Sequence, residues 1–493
     1  MAQYMYEPLS AQDQSFLVME TPSLHMHVAS TQIFELGPLA TEAGGVDFPR
    51  IKRFIASVLH RIPRYRQKLH WVPILQSPVW VDDAEFSLDY HVRHTALPRP
   101  GNDAQLRKLS ARIMAQPLDR ARPLWEIWVV EGLAEGRFAL VSKIHHCMID
   151  GASGVDLSQI LQSRTPERRI GTAPPFVPRP TPGSSELLLR SLHWRLGLPL
   201  RALRGFREFR RETEDAWGEV RLRLRVLARM FTEQYGRASE SPINGVVGPH
   251  RTFGWVDMDL AELKAARRAL ECTLNDLVLA IATGAFREYL RQRGARPEDL
   301  EFRIQAPVSV RSQDEKGRLG NRVSGWVVTL PLGEEDPRGQ LAAIQETTKD
   351  LKQSKQALGV EMMMAAIGEM PTSVLSLAMQ AASGTINSIV TNVPGPQFPL
   401  YLQGARMLAM YPQVPLLENL GLGIALISYD GKLCWGFNAD PKLVPDLDAF
   451  LTAIRNSQAR VLEAARSQPP PAPEPRKGAR VRRAGNGASA RHG

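Results

Sequence analysis

Apolar and polar residues alternate from Leu124 to Leu133 and again from Phe138 to His146, separated by Ala134-Glu135-Gly136-Arg137. A period of two on either side of a turn-forming run predicts a β-hairpin. Asp150-Gly151 then breaks the strand, and Ser153 to Leu161 switches to helical spacing, with Asp150 or Ser153 placed to cap. The unit reads as strand, tight turn, helix. Further along, Trp255 to Leu260 reads as a strand, followed by a helix from Ala261 and a second apolar helix from Asn275 to Leu290. Leu422 to Ser428 and Leu433 to Phe437 form another hairpin around Tyr429-Asp430-Gly431-Lys432. Pro174 to Gly183 (PPFVPRPTPG) reads as an extended linker. Beyond Pro469 the Pro, Ala, Gly and Arg composition builds no core, so disorder is expected there.

A chain of 493 residues with 43% apolar content can bury a large core, and its length suggests two to three domains. No apolar run of spanning length and no charged segment leading into an apolar stretch stands near Met1, so a cytoplasmic protein is expected. Cys147, Cys272 and Cys434 have no CxxC spacing, which fits a reducing compartment without disulfide or zinc.

The net charge of +10 is concentrated in two places. Residues 186–237 hold twelve Arg against seven acidic residues, and the tail from Pro469 holds six Lys or Arg against Glu474. These segments carry the whole excess. No zinc-finger, helix-turn-helix or RNP1 pattern accompanies them, so nucleic acid is not expected as a partner. Between Leu187 and Tyr235, Arg alternates with Leu, Trp and Phe, which suits a helix on an anionic lipid surface. It equally suits an interdomain linker whose Arg stems cover apolar surface.

The hairpin's second arm delivers His145-His146-Cys147-Met148-Ile149-Asp150-Gly151, an HHxxxDG sequence. Neighbours on a strand face opposite ways, so one histidine works while the other packs or orients. A neutral His146 has the basicity to take a proton from an alcohol or amine. Two packed or capped histidines are the plainer alternative. Asp150 is expected to orient the loop. Cys147 is a nucleophile candidate beside His146, against which stands a buried inert thiol. No GxSxG elbow is present, nor any metal, nucleotide or flavin motif.

With these residues in place the sequence resembles the bacterial wax ester synthase/acyl-CoA:diacylglycerol acyltransferase family, within the HHxxxDG acyltransferases related to chloramphenicol acetyltransferase and peptide-synthetase condensation domains. The likeness covers nearly the whole chain before the tail. It rests on Pro8-Leu9-Ser10 with Asp13, Phe16 and Leu17, on Met26-His27-Val28, and on Pro123-Leu124-Trp125-Glu126. It continues in Asn275-Asp276, Pro307 to Arg311 (PVSVR), Leu319-Gly320-Asn321 and Asn392-Val393-Pro394-Gly395-Pro396. Thr391 departs from the family's usual Ser.

The resemblance implies an α/β fold of two chloramphenicol-acetyltransferase-like halves, mixed sheets flanked by helices, with an active-site tunnel between them. Residues 1–165 would form the first half, 166–250 the linker and basic helices, 251–468 the second half, and 469–493 the tail. It implies His146 as general base, His145 and Asp150 as its support, and Asn275 beside the reacting carbonyl. Asn275 reads equally as a cap of the following helix. Glu20, Gly151 and Trp125 are expected near substrate, Trp125 as packing at the tunnel wall, and Asn392 to Pro396 as a rigid turn at a crossover between halves. The implied reaction moves a long-chain acyl group from acyl-CoA to diacylglycerol or a fatty alcohol, without an acyl-enzyme, metal or other cofactor. A membrane or lipid-droplet surface is a further expected partner. A carrier-protein-dependent condensation-type acyltransferase, favoured by activity on carrier thioesters, and a non-catalytic lipid-surface protein remain as alternatives.

Overall fold

The computed structural model describes residues 6–74, 77–148, 160–183, 185–187, 238–309, 323–353 and 384–467. The expected helix at Ser153, the greater part of the basic segment, Leu319-Gly320-Asn321 and the tail lie outside them.

The first part of the chain runs β1 (Glu7–Pro8), α1 (Ala11–Val18), β2 (His27–Glu35), α2 (Phe48–Val58), β3 (Gln67–Trp71) and β4 (Pro78–Asp82). It continues with α3 (Leu88–His91), β5 (Val92–Ala96), α4 (Asp103–Ala115), β6 (Trp125–Leu133) and β7 (Arg137–His145). After residue 238 come β8 (Asn244–Gly245), β9 (Thr252–Asp259), α5 (Leu260–Ala269), α6 (Leu274–Gln292), β10 (Phe302–Ser309), β11 (Val323–Leu330) and α7 (Pro337–Gln353). The last run is β12 (Ser388–Val393), β13 (Tyr401–Leu402), β14 (Ala405–Gln413), β15 (Asn419–Leu420), β16 (Leu422–Tyr429), β17 (Lys432–Ala439) and α8 (Leu447–Arg466).

Two six-stranded sheets dominate, ordered β13-β14-β2-β7-β6-β5 and β11-β10-β12-β16-β17-β9. Both are mixed: β5 runs parallel to β6, and β12 runs parallel to both β10 and β16. The hairpins read from alternation are present as β6–β7 and β16–β17, the latter turning through Asp430 and Gly431 at positive φ. Helix α6 is buried around almost its whole circumference from Asp276 to Leu290, as expected of a central helix that packs on several neighbours. Together with α5, α7 and α8 it buries one face of the second sheet.

The other face of that sheet meets the first half. Phe253, Trp255 and Cys434 pack with Ile33, Leu106, Val141 and Tyr411 in one apolar cluster, and Trp255 stacks on Tyr411 with ring centroids 4.6 Å apart. The approach is close: a Cβ on Gly436 would lie 1.9 Å from the Pro412 carbonyl oxygen, so only glycine fits there.

Strand β14 belongs by sequence to the second half, yet it pairs antiparallel with β2 of the first. The chain leaves β12 at Asn392-Val393-Pro394-Gly395-Pro396 and crosses over. A Cβ on Gly395 would lie 2.2 Å from the Ser428 carbonyl oxygen, and its N–H donates to Ser428 Oγ at 3.1 Å, which explains glycine between the prolines. The sheets therefore do not divide at a single cut in the sequence. The proline-rich linker carries no helix or strand and is pinned: Arg179 donates from Nε and Nη2 to the Asp82 carboxylate at 2.8 and 2.7 Å.

Candidate active site

Strand β7 ends at His145, whose N–H donates to the Leu124 carbonyl at 2.9 Å. His146 begins a single 3-10 turn to Met148, its N–H held by the Met26 carbonyl at 2.7 Å. The two imidazoles thus part where the strand ends, as alternation requires.

His145 is buried among polar partners. The Cys147 backbone N–H donates to its Nδ1 at 3.1 Å, and the Cys147 Sγ lies 2.9 Å from the same nitrogen. A ring nitrogen that accepts carries no proton, so the neutral ring bears its hydrogen on Nε2. That Nε2 lies 3.1 Å from Glu20 Oε1. The same oxygen accepts from the Met26 N–H at 2.8 Å, while Oε2 accepts from Arg120 at 2.6 Å. Burial alone would raise the Glu20 pKa; the close approach of His145 Nε2 and the bond from Arg120 outweigh it and bring the group from 4.5 to about 2. Glu20 is a carboxylate held on several sides, and its role as read from geometry is to orient His145.

His27 pairs with His145 across β2 and β7, and its Nε2 is 3.9 Å from Glu20. Burial holds it well below its ordinary pKa, so it is neutral. His25 stacks on it with centroids 5.2 Å apart.

His146 stands apart from this network. Its ring stacks on Phe16 of α1 at 3.9 Å between centroids, and Ser10 starts that helix by accepting from the Asp13 N–H. Burial brings the His146 pKa down to about 4. The ring is neutral at pH 7, and Nδ1 is buried without a hydrogen-bond partner in the structure. A neutral imidazole with a free lone pair can accept a proton.

The remaining expected residues fall elsewhere. Asp150 and Gly151 lie outside the described residues. Asn275 occupies the second position of α6, half-buried. It does not cap the helix: Thr273 does, in a reciprocal box with Asp276. No hydrogen bond joins Asn275 to either histidine among the described residues. Trp125 is buried, donates from Nε1 to the Tyr65 carbonyl at 2.8 Å, and stacks on His91. It lines a small cavity. Cys147 is buried, which pushes its thiol pKa well up, as the inert reading requires. Among the described residues no group of three or more His, Cys, Asp or Glu is poised to hold a metal. No single described helix is long and apolar enough to cross a membrane.

Sequence reading missed Arg120 and the proximity of His27. The Met26-His27-Val28 motif flagged the second, but Arg120 stands far along the chain from Glu20 in a segment without periodicity.

Family models match in the same order. Residues 9–278 match the wax ester synthase/diacylglycerol acyltransferase catalytic domain, and residues 319–460 match the family's C-terminal domain. A Mycobacterium tuberculosis H37Rv protein named as a probable diacylglycerol O-acyltransferase is 31% identical over 467 residues, covering 92% of this chain and 95% of the relative. The solved wax ester synthase/diacylglycerol acyltransferase of Marinobacter aquaeolei VT8 superposes with a TM-score of 0.63 at 24% identity, over 93% of this chain and 99% of its own. The first condensation domain of the calcium-dependent antibiotic synthetase shares the fold at a TM-score of 0.54 and 15% identity, over 94% and 96% of the two chains. This chain belongs to the wax ester synthase/diacylglycerol acyltransferase family and is an acyltransferase.

Proposed function

We propose that the protein transfers a long-chain acyl group from acyl-CoA to the hydroxyl of diacylglycerol, with fatty alcohol as a second acceptor, and that His146 is the base. The observation carrying this reading is a neutral His146 without a hydrogen-bond partner at Nδ1, beside a His145 fixed by Glu20. The neutral imidazole removes the hydroxyl proton as the alcohol oxygen attacks the thioester carbon. The tetrahedral oxyanion collapses, the C–S bond breaks, and the departing thiolate takes the proton back from His146. No acyl-enzyme forms. Asn275 donates its amide to the oxyanion in this scheme, Asp150 orients the loop, and Gly151 and Trp125 border the substrates in a tunnel between the halves. The Arg-rich segment 186–237 is the part that would adsorb to an anionic membrane or lipid-droplet surface, supported by its charge and aromatic content.

The test is CoA release from palmitoyl-CoA with dioleoylglycerol or hexadecanol, with lipid products separated by thin-layer chromatography, on wild type and His146→Ala. Ester formed by the wild type and lost in the variant is the expected result. Turnover only with carrier-protein thioesters, or equal turnover by both proteins, overturns the reading.

A further inference from the structure

Two residues that frame the histidine pair flank one short turn. Thr21 and Leu24 exchange backbone hydrogen bonds at 3.0 and 3.2 Å, which closes Thr21-Pro22-Ser23-Leu24 into a tight loop. Glu20 leads into it, and Met26 follows it. Glu20 Oε1 lies 3.1 Å from His145 Nε2 and accepts from the Met26 N–H at 2.8 Å, while the Met26 carbonyl accepts from the His146 N–H at 2.7 Å. The position of this turn therefore sets the position of both imidazoles.

The turn is held from the second half of the chain. Leu24 packs with Val247 and Leu416 in a small apolar cluster. Arg251, one residue before β9, reaches across to it: Nη2 donates to the Ser23 carbonyl at 2.7 Å, and Nη1 donates to the Gly248 and His250 carbonyls at 2.6 and 2.8 Å. The support of this side chain is itself fixed. Asp440, buried just after β17, accepts from the Gly248 N–H at 2.6 Å and from the Lys442 N–H at 2.7 Å.

Leu24 alone would cover the turn, so the arginine does something that packing does not. A guanidinium taken out of water is costly unless its donors are used. Here burial lowers the Arg251 pKa against the opposing pull of the Asp440 carboxylate. Its planar fork is spread over three carbonyls, two of its own segment and one of the turn, which fixes angle as well as distance.

We propose that Arg251 is a positioning residue for the reaction: by gripping the Ser23 carbonyl from the second half it fixes the turn between Glu20 and Met26, and through those two residues it aligns His145 and His146. The proposal rests on His146 as the base, and it makes the alignment of that base a property of both halves rather than of the first alone.

The test is a cycle of variants in the full-length protein, with CoA release from palmitoyl-CoA and dioleoylglycerol as the readout and circular dichroism as the check on folding. Arg251→Met keeps the apolar stem and loses the donors. Its kcat is expected to fall about tenfold, the scale of a slightly misplaced reacting group, with KM for palmitoyl-CoA unchanged. Arg251→Lys, which keeps one donor for the Ser23 carbonyl but not the fork, should recover most of that loss. If Arg251 acts through Glu20, the losses do not multiply: Glu20→Gln with Arg251→Met should be about as slow as the slower single variant. Losses that multiply in full, an unchanged kcat in Arg251→Met, or a rise in KM alone, which would put Arg251 on the substrate, overturn the proposal. Should Arg251→Met not fold, Arg251→Lys carries the same cycle.

Amide hydrogen exchange reads the clamp without turnover. The Met26 and His146 N–H groups should exchange several-fold faster in the Arg251 variants, while the interior of α6 exchanges as in the wild type; unchanged exchange at both amides overturns the proposal. Wild-type turnover by His146→Ala would sink the base assignment and not the clamp, which the exchange rates then decide.

Discussion

Glu20 Oε1 and His145 Nε2 meet at 3.1 Å while the ring's other nitrogen, Nδ1, accepts from the Cys147 N–H, so one imidazole is fixed in tautomer and orientation from both ends. His145 thereby supports the turn that starts at His146. Replacing Glu20 by Gln keeps the size but removes the charge that favours His145 and Arg120. The expected result is a roughly ten- to hundredfold fall in kcat, the scale of small misplacements of a reacting group, with KM for acyl-CoA little changed. A rise in KM alone, measured by CoA release, would place Glu20 on substrate instead.

Acid stability should report the same carboxylate. Its folded pKa of about 2 lies below the ordinary 4.5, so the unfolded chain binds the proton first as pH falls. The stabilisation is fully present above about 4.5 and is lost as pH drops toward 2. Thermal unfolding of Glu20→Gln should therefore depend less steeply on pH across that window than the wild type. Parallel curves would show that Glu20 titrates normally.

The pH dependence of turnover follows from His146. Burial brings its pKa to about 4, so the ring remains a neutral base above that value and is protonated below it. The acid limb of kcat/KM is expected near pH 4 in a protein that stays folded. A limb near 6.5 would assign the limiting ionisation to an ordinary, exposed histidine.

Arg179 tests the linker. Its two bonds to Asp82 fasten the proline-rich segment onto β4. Arg179→Ala is expected to cost only about 1 kcal/mol of stability, since the guanidinium is partly solvated. It should nevertheless speed tryptic cleavage after Arg168 or Arg169 several-fold, read by timed electrophoresis. Unchanged cleavage would mean that other contacts hold the linker.

The parts of the fold carried by local period were legible before any coordinates. Alternation located β6, β7, β16 and β17 to within two residues, because a half-buried strand must alternate. The helix from Asn275 was found as well, but Asn275, offered as a possible cap, stands inside the helix, which Thr273 caps instead. Contacts between distant segments leave no periodic trace. The pairing of β14 with β2, the bond from Arg120 to Glu20 and the clamp of Arg179 on Asp82 all join residues whose neighbours in sequence say nothing of one another. In the candidate site the histidines and Glu20 were legible as residues, whereas the direction of Glu20, toward His145, was not.

Strand β14 decides what the molecule can be cut into. A piece ending before residue 400 would leave the β2 backbone from Ala29 to Phe34 with its hydrogen-bonding edge bare, an invitation to pair with other chains. The halves are laced together by a strand exchanged between them. Neither is a module that evolution or a protein engineer could transplant alone, and any movement that admits substrate must occur in loops and side chains, because parting the sheets would unzip β14 from β2.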